Sequence, residues 1–192
     1  MALVKRCQRD GSAEAFHVLY ERHKDRITNV VFHLVGNYDE ALEATQDVFL
    51  RVYRKIGKFR GQASFTSWLY RIAVNVATDH RRRLGRERGL LAAYSRHGKP
   101  AEALSRSALP GADERVADLE TAEQVRLALR RLSPKLAAVL TLRYLEGRAY
   151  TEIAETLNVS VGTVKSRLNR AHKAIAPLLT DLAPGGEDER ED

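Results

Sequence analysis

Residues 150–168 read YTEIAETLNVSVGTVKSRL, and this stretch is the strongest indication of the fold. Its apolar residues predict two short helices, at about 150–157 and 161–179, separated by a turn at residues 158–160. Asn158 tolerates the left-handed backbone that such a turn requires, and Ser160 can cap the second helix. Two short helices around a three-residue turn are typical of a helix-turn-helix.

The second of these helices has one apolar and one polar face. Val164, Leu168, Ala171 and Ile175 recur at helical spacing and are expected to face inward. The residues left to reach a major groove are Thr163, Lys165, Ser166, Arg167, Asn169 and Arg170. These side chains can donate to phosphates and read base edges, so a duplex DNA-binding surface is predicted. The plainer interpretation is a solvated, charged face on a helical hairpin.

The N-terminal half predicts a bundle of three helices. The first extends from about Phe16 to Gly36, whose flexible backbone can end it in the left-handed conformation. The second starts at Asp39, a plausible N-cap, and stops at Gly57. The third begins near Ser64, and its apolar residues, including Phe65 and Trp68, repeat at core-facing positions. No strand pattern competes, so the fold class is all-α.

A stretch without periodicity separates this bundle from the helix-turn-helix. Glycines at 85, 89, 98 and 111 and prolines at 100 and 110 interrupt it. Further on, Ser133 and Pro134 suit the N-cap and first position of a new helix, expected to end near Gly147. We therefore predict an N-terminal domain at 1–84, a flexible linker at 85–117, a C-terminal domain at 118–180 and a disordered acidic tail at 181–192.

A second polar surface is expected on the third helix. Opposite its apolar residues, Arg71, Asn75, Thr78, Asp79 and Arg82 form a ridge that runs into the basic sequence 80–83, HRRR. Such a ridge can follow a phosphate backbone, and the Asn75 amide can pair with one base. The loop before the helix consists of Phe59, Arg60, Gly61, Gln62, Ala63 and Ser64, and it could hold an unstacked base or simply connect two helices.

The composition agrees with a polyanionic partner. The 192 residues carry a net charge of +7, and the sequence has no apolar run of about 20 residues that would span a membrane. The charged segment 1–10 does not resemble a signal peptide, so a cytoplasmic protein is expected. The single cysteine, Cys7, is interpreted as an incidental thiol, and we expect no metal, no cofactor and no catalytic role.

Several of these stretches carry a family resemblance. DVFLRVY at 47–53, FRG at 59–61 and WLYRIAVN at 68–75 resemble the second domain of bacterial sigma-70 factors. VGTVKSRL at 161–168, followed by Arg170 and Ala171, resembles the fourth domain. Because both occur in the expected order across a linker, without the additional domains of housekeeping factors, the chain resembles the compact extracytoplasmic-function (ECF) group.

The resemblance implies roles for individual residues. The helix that contains Asp47, Val48, Phe49, Arg51 and Arg54 would bind the clamp of core RNA polymerase, and the polymerase flap would be a further partner of the chain. Asn75 and the 59–64 loop match the positions that capture a flipped base of the promoter's minus-ten element. Lys165, Ser166, Asn169 and Arg170 match the family's minus-thirty-five readers. An anti-sigma protein commonly holds such factors inactive.

Two positions depart from the family pattern. Ala149 stands where a capping serine is usual, and a lost cap costs about 1 kcal/mol. Gln62 stands where an acidic residue is frequent in the capture loop, which bears on the identity of the captured base.

Two other functions are compatible with the composition. A stand-alone helix-turn-helix regulator would bind palindromic duplex sites as a dimer without polymerase. A nucleic-acid-processing enzyme would need metal ions, and its only candidate ligands are the acidic residues Asp39, Glu40, Glu43 and Asp47, which we interpret as a solvated helix face.

Overall fold

The computed structural model describes residues 1–94 and 116–180, and side chains within 1–87 and 121–180. All regular structure in these ranges is helical, which confirms the predicted fold class. The helices are α1 (Ala2–Asp10), α2 (Ala13–Val35), α3 (Tyr38–Lys55), α4 (Phe65–Tyr94), α5 (Val116–Arg131), α6 (Pro134–Leu140), α7 (Tyr150–Leu157) and α8 (Val161–Thr180). A 3-10 turn at Ile56–Lys58 follows α3, and a π-helical turn at Thr141–Leu145 follows α6.

Helices α2, α3 and α4 form the predicted N-terminal bundle. The expected end of α2 is confirmed: Gly36 has φ 84° and donates its N–H to the carbonyl of Phe32 at 2.7 Å. The start of α3 was misplaced, because Asn37 rather than Asp39 caps it by accepting a hydrogen bond from the Glu40 N–H at 2.9 Å. Asn and Asp are equally good caps, so the sequence alone did not separate them.

The first helix was missed by the sequence analysis. α1 has only two buried residues, Val4 and Cys7, and such a short stripe gives a weak periodic signal. Gly11 ends α1 with φ 59°, and Ser12 caps α2 by accepting a hydrogen bond from the Ala15 N–H at 3.2 Å. The chain therefore reverses tightly between α1 and α2.

The predicted boundary at residue 84 lies inside a helix. α4 continues through Gly85 to Tyr94, because a single glycine in the interior of a helix destabilises it by only about 1 kcal/mol relative to alanine. α5 starts at Val116, close to the expected start of the C-terminal domain. Most of the predicted linker, residues 95–115, and the predicted tail, 181–192, lie outside the described residues.

The helix-turn-helix is confirmed almost residue by residue. Asn158 has φ 53° and ψ 53°, and Ser160 accepts a hydrogen bond from the Thr163 N–H at 3.1 Å at the start of α8. Ala149 provides no side-chain cap for α7, but Glu152 still accepts a hydrogen bond from the Ala149 N–H at 2.9 Å. Half of the reciprocal capping arrangement is therefore retained.

The helix that begins at Pro134 is shorter than expected. α6 ends at Leu140, and a π-helical turn, closed by a bond from the Glu146 N–H to the Thr141 carbonyl at 3.2 Å, carries the chain towards Gly147. Ser133 precedes Pro134 as predicted but makes no side-chain cap. The turn places Glu146 on the side that faces the N-terminal bundle, where it contacts Tyr70.

The two halves pack directly against each other. α4 contacts α7, and α2 contacts α5, α6 and the π-helical turn. Buried residues of both halves, such as Val30 and Leu69 on one side and Leu142 and Ile153 on the other, belong to one continuous hydrophobic cluster. In this closed arrangement the helix-turn-helix lies beside the loop at 59–64.

Candidate nucleic-acid interface

The recognition helix α8 presents its polar face to solvent. Val164, Leu168 and Ala171 are buried, as predicted, and Ile175 is half-buried. Lys165, Ser166, Asn169 and Arg170 are exposed, whereas Thr163 and Arg167 are half-buried. Within the described residues, the Arg170 side chain makes one hydrogen bond, and it is a long one: its Nε donates to the Ser166 carbonyl at 3.4 Å. The face is therefore open to a ligand.

The loop at 59–64 is anchored at both ends and open in the middle. Arg60, Gly61, Gln62 and Ser64 are exposed and Ala63 is half-buried, while Phe59 is buried. The Phe59 ring packs against Phe65 at 5.9 Å and Trp68 at 5.1 Å between centroids. Phe59 therefore anchors the loop and is not available to stack on a base, whereas Phe65 belongs to the core as expected.

The other end of the loop is fixed by a cap. Ser64 Oγ accepts a hydrogen bond from the Ser67 N–H at 2.9 Å and starts α4. Gly61, at the middle of the loop, has φ 69°, a conformation that other residues rarely adopt. A short, defined loop of exposed polar side chains results.

The polar ridge on α4 is only partly free. Asn75 and Arg82 are exposed, and Thr78 is half-buried. Asp79 forms an ion pair with Arg51 of α3 at 3.6 Å, so its carboxylate is already matched with a cation. Arg71 is bound to the C-terminal half: its Nε donates to the Thr156 carbonyl at 3.1 Å and its Nη2 donates to the Glu155 carbonyl.

The basic run 80–83 divides among three environments. His80 is buried beside Asp47, with 3.3 Å between Nε2 and Oδ2. Arg81 donates to the carbonyls of Arg130 and Leu132 at the end of α5. Arg83 pairs with Glu43 at 3.3 Å, which leaves Arg82 as the exposed member facing solvent without an ion pair among the described residues. The run is thus mostly structural in this arrangement.

The face of α3 also differs from the sequence expectation. Val48 and Phe49 are buried in the bundle core, so a partner cannot touch them directly in this arrangement. Asp47 and Arg51 are half-buried and held by His80 and Asp79, and Arg54 is exposed. Leu50 and Tyr53 are 53% and 52% exposed, and the sequence analysis did not select them as contact residues. Three residues apart on one helix, these two side chains lie on the same face and offer apolar contact area to a partner protein.

A polar network joins the two halves beneath this surface. The buried Tyr70 hydroxyl donates to Glu146 Oε2 at 2.5 Å, and the Arg148 guanidinium lies 4.9 Å from the centre of the Tyr70 ring. Arg148 also donates to Glu152 Oε1 at 3.0 Å. Desolvation, together with the bond to Glu146, raises the pKa of Tyr70 to about 12, so its hydroxyl stays protonated and can donate.

A histidine lies at another point of the contact between the halves. His33 of α2 is half-buried, and the Arg126 guanidinium of α5 lies 4.7 Å from the ring centre of its neighbour Phe32. Burial, and to a lesser extent Arg126, lowers the pKa of His33 to about 4. The imidazole is therefore neutral at physiological pH.

Sequence reasoning missed these contacts between the halves. Tyr70 is more than 70 residues away from Glu146 and Arg148 in the chain, and nothing in a local pattern pairs them. The Gln8 side chain was missed too, although its amide donates to the carbonyls of Ile56 and Phe59 at the start of the loop. A glutamine on a short helix carries no distinctive spacing.

The described residues contain no group of His, Cys, Asp and Glu side chains arranged to hold a metal ion. Of the acidic side chains of α3, Glu43 lies instead beside Arg83, and Asp47 lies beside His80. Among the helices in the described part of the chain, none is both long and apolar enough to cross a bilayer.

Comparison with known families identifies both halves. The model of Sigma-70 region 2 matches residues 19–87, and that of Sigma-70, region 4, matches residues 122–175. The first region contains the 59–64 loop and the α4 ridge, and the second contains the helix-turn-helix. Together they include every residue to which we assigned a DNA contact.

Curated relatives match over nearly the whole chain. RNA polymerase sigma-H factor of Pseudomonas aeruginosa is 33% identical over 191 residues, covering 94% of this chain and 93% of that protein. ECF RNA polymerase sigma factor SigW of Bacillus subtilis is 30% identical over 187 residues, covering 95% and 99%. ECF RNA polymerase sigma-E factor of Escherichia coli K12 is 33% identical over 176 residues, covering 90% of each.

Solved structures share the fold of both halves. CnrH, in complex with the cytosolic domain of CnrY, has a TM-score of 0.67 and 23% identity, covering 95% of this chain and 97% of that chain. Sigma factor RpoE, in complex with the anti-sigma factor NepR from Bartonella quintana, has a TM-score of 0.65 and 20% identity, covering 87% and 98%. The matches in sequence and in fold agree: the chain belongs to the sigma-70 family, in its ECF group of RNA polymerase sigma factors, which direct core polymerase to promoters.

Proposed function

We propose that this sigma factor reads the minus-thirty-five element with α8 and the minus-ten element with the 59–64 loop and the α4 ridge. The observation that carries this assignment is the exposure of both polar surfaces' central residues, Asn169 and Arg170 on α8 and Gln62 and Asn75 on the N-terminal side. Catalysis of phosphodiester synthesis belongs to the polymerase, so the sigma factor needs no nucleophile or metal of its own.

The minus-thirty-five readers divide by exposure. Lys165, Ser166, Asn169 and Arg170 extend into solvent and would contact base edges and phosphates in a major groove. Thr163 and Arg167 are half-buried, and Thr163 Oγ1 lies 2.9 Å from Ser160 Oγ. These two would support the helix start and its flank.

The minus-ten surface uses a different geometry. The exposed members of the loop, Arg60, Gly61, Gln62 and Ser64, would surround one unstacked base, with Ala63 at the loop's inner side and Phe59 anchoring it. Asn75, which is exposed on α4, would hydrogen-bond to the same DNA strand, and Arg82 would contact the phosphates of that strand. Arg71, Thr78 and Asp79 would contact DNA only after the two halves separate, or would hold neighbouring side chains in position.

Core polymerase would bind the exposed side of α3. Leu50 and Tyr53 would supply apolar contact area there and Arg54 a charge, while Val48 and Phe49 support the helix from beneath. Asp47 and Arg51 would hold α3 on α4 through His80 and Asp79. The polymerase clamp is the proposed partner of this face and the polymerase flap that of the C-terminal half.

The closed arrangement must open for both elements to be read together. Two elements named for centres about 25 base pairs apart are roughly 85 Å apart along B-DNA, at 3.4 Å per base pair. A compact chain of this length has a radius of gyration of roughly 16 Å. One compact body therefore cannot reach both, and we infer that polymerase binding separates α7 from α4 and releases Arg71.

An anti-sigma factor would stabilise the inactive state. The fold neighbour RpoE was solved with the anti-sigma factor NepR. A protein that binds the closed form of this chain would keep Arg71 on the helix-turn-helix and hide the minus-ten surface. We place this control, and the protein itself, in the cytoplasm, where the polymerase acts.

Run-off transcription on genomic fragments, with core polymerase and with or without the protein, tests the function. We expect specific transcripts only when the protein is present, and mapping their starts gives both promoter elements. Duplex binding without polymerase binding and without transcripts would instead favour a stand-alone regulator. The protein must be free of any anti-sigma factor in this assay.

A further inference from the structure

Helix α1 precedes the region-2 match, which begins at residue 19. It packs on α2 through the buried residues Val4 and Cys7, and it also contacts the 3-10 turn at Ile56–Lys58. That turn leads directly into the 59–64 loop. Helix α1 therefore touches the beginning of the proposed base-capture loop.

One side chain makes the connection. Gln8 Nε2 donates to the Ile56 carbonyl at 3.0 Å and to the Phe59 carbonyl at 2.7 Å, so both N–H groups of one amide are used. Ile56 also accepts the Phe59 N–H at 3.1 Å. The bonds cross 48 and 51 residues of sequence, so they tie the loop to a remote element and do not merely close a local turn.

These bonds complete the anchoring of the loop. Its far end is fixed by the Ser64 cap, and the Phe59 ring is held by Phe65 and Trp68. Ring packing does not orient the Phe59 carbonyl. The Gln8 amide binds that carbonyl and so fixes the direction of the chain after Phe59. Without that amide, the start of the loop would keep the ring contacts of Phe59 and the bond from its N–H to Ile56, but would lose the bond that holds the Phe59 carbonyl.

α1 also forms a wall beside the loop. A cavity of about 820 Å³ lies between them, lined among others by Met1, Leu3, Gly61, Gln62 and Ser64. A Cβ at Gly61 would lie 4.0 Å from Met1 Cε, so the α1 N-terminus reaches the middle of the loop. The helix thus borders the loop at its start and at its centre.

We propose that α1 is a positioning element of the minus-ten site, and that Gln8 sets the base preference of the 59–64 loop by holding its first residue in place. The inference rests on the proposed function of that loop. Gln8 is a positioning residue and touches no DNA itself. A loop with a fixed start presents Gln62 in one orientation, whereas a loose loop samples several and distinguishes the bases less well.

The test uses holoenzyme assembled from core polymerase and full-length variants. The probe is a single-stranded non-template oligonucleotide that carries the minus-ten sequence mapped by run-off transcription, together with three copies substituted at the captured position. Gln8→Met keeps the length of the side chain and its neutral charge but removes both donors. We expect about a tenfold loss of affinity for the mapped sequence and a similar loss of the ratio between it and the substituted probes.

Two further variants separate positioning from general damage. Gln124→Met makes the same change on α5 and should leave both quantities within about twofold of the unsubstituted protein. Gln8→Lys restores N–H donors and should therefore recover the ratio of affinities between the mapped and the substituted probes. Its added charge raises the affinity for all four probes alike, so it leaves that ratio unchanged. Affinity for core polymerase and the thermal unfolding midpoint should change little in all three. If Gln8→Met does not fold, Gln8→Ser replaces it.

A loop variant distinguishes this inference from the proposed function beneath it. If Gln62→Ala weakens base discrimination but Gln8→Met does not, the loop reads the base and the positioning role of Gln8 is wrong. If neither variant affects discrimination, the loop itself is not the reader, and the proposed minus-ten function fails. Loss in both, with recovery in Gln8→Lys, supports the inference.

Discussion

The two surfaces proposed to read DNA are constructed in different ways. The α8 surface comes from one continuous stretch of sequence, capped by Ser160 and backed by Val164 and Leu168, and its reading residues face solvent. The minus-ten surface is assembled from α1, the 59–64 loop and α4, and one of its arginines, Arg71, is bound to the other half of the molecule. The first surface is available in the closed protein, and the second is partly hidden.

This difference suggests how the protein is controlled. A surface made from local structure needs only its own helix to be intact. A surface made from distant parts depends on how those parts are arranged, so an event elsewhere in the molecule can switch it. We therefore expect changes in the core or in the contact between the halves to affect the two surfaces unequally.

The largest difference between the two DNA-binding surfaces is expected from Leu168→Ala. Leu168 is 3% exposed beneath the recognition face, and such a truncation typically costs about 2–5 kcal/mol of folding free energy. Binding to a minus-thirty-five duplex should fall steeply, while binding of the minus-ten oligonucleotide in holoenzyme should persist. Chemical unfolding followed by circular dichroism measures the free energy, and Leu178→Ala, a half-buried position farther along α8, is the milder comparison. Equal loss at both DNA elements would contradict the local character of the α8 surface.

Acid should weaken the contact between the halves. The folded pKa of His33 is about 4, below its ordinary value of 6.5, so the unfolded chain takes up the proton first. Stability is therefore full above about pH 6.5 and falls as the pH drops towards 4, by up to about 3 kcal/mol for a shift of this size. Thermal unfolding between pH 7 and 4.5 measures this.

The matched comparison for that experiment is another histidine on the same helix. His33→Phe should flatten the acid limb of the stability profile, whereas His17→Phe, at an exposed position, should leave it unchanged. A profile in which His33→Phe behaves like the unsubstituted protein would show that other groups cause the acid sensitivity.

A smaller effect is expected from Arg170→Ala. Its guanidinium is exposed on α8, and a single lost base or phosphate contact of this type costs roughly 1–3 kcal/mol of binding. Lys165→Ala should behave similarly, and both should leave the minus-ten oligonucleotide unaffected. Titration of a minus-thirty-five duplex at two salt concentrations measures the loss. Lys173→Ala, exposed on the same helix outside the proposed reading set, is the control, and an equal effect there would indicate nonspecific charge attraction.

The sequence predicted the α8 surface better than the minus-ten surface for a physical reason. Asn158, Ser160 and the inward positions Val164, Leu168 and Ala171 of α8 are short-range signals, and the structure confirms them, while Ile175 is half-buried. The positions of Phe59 and Arg71 depend on contacts with α1, α4 and α7 that are distant in sequence. The burial of Phe59 and the bonds of Arg71 to α7 were therefore not predictable from local spacing.

The same reasoning explains the errors in the fold. The continuation of α4 to Tyr94 was missed because Gly85 and Gly89 weaken a helix without ending it. The packing of α2 against α5 was missed because Arg126 and Phe32 are far apart in the chain. Charge alone also misled: the basic run 80–83 looked like a phosphate ridge, but His80, Arg81 and Arg83 are bound within the protein.

Removing one hydroxyl should shift the balance between closed and open forms. Tyr70→Phe deletes the donor to Glu146 and leaves the ring beneath Arg148, at a cost of about 1 kcal/mol or somewhat more. The free protein should then bind the minus-ten oligonucleotide several-fold more tightly, because α7 covers α4 less often. Fluorescence anisotropy measures this.

Tyr144→Phe is the control for Tyr70→Phe. The Tyr144 hydroxyl lies 2.8 Å from His172 Nε2, within the C-terminal half. Its loss should leave minus-ten binding by the free protein unchanged. If Tyr70→Phe likewise has no effect on binding or on the small-angle scattering radius, the Tyr70 bond does not hold the halves together.

The smallest effect, and one in the stabilising direction, is expected from Ala149→Ser. Glu152 already accepts the Ala149 N–H at 2.9 Å, and a serine hydroxyl could in turn accept the N–H of Glu152, which completes the capping box. A cap of this kind contributes about 1 kcal/mol or less at an exposed helix start. Because the change stabilises α7 alone, it should raise the unfolding midpoint and leave base discrimination at the minus-ten element unaltered. Ala149→Gly, which supplies no hydroxyl, should not reproduce the gain, and a gain with glycine would assign the effect to the backbone and not to the cap.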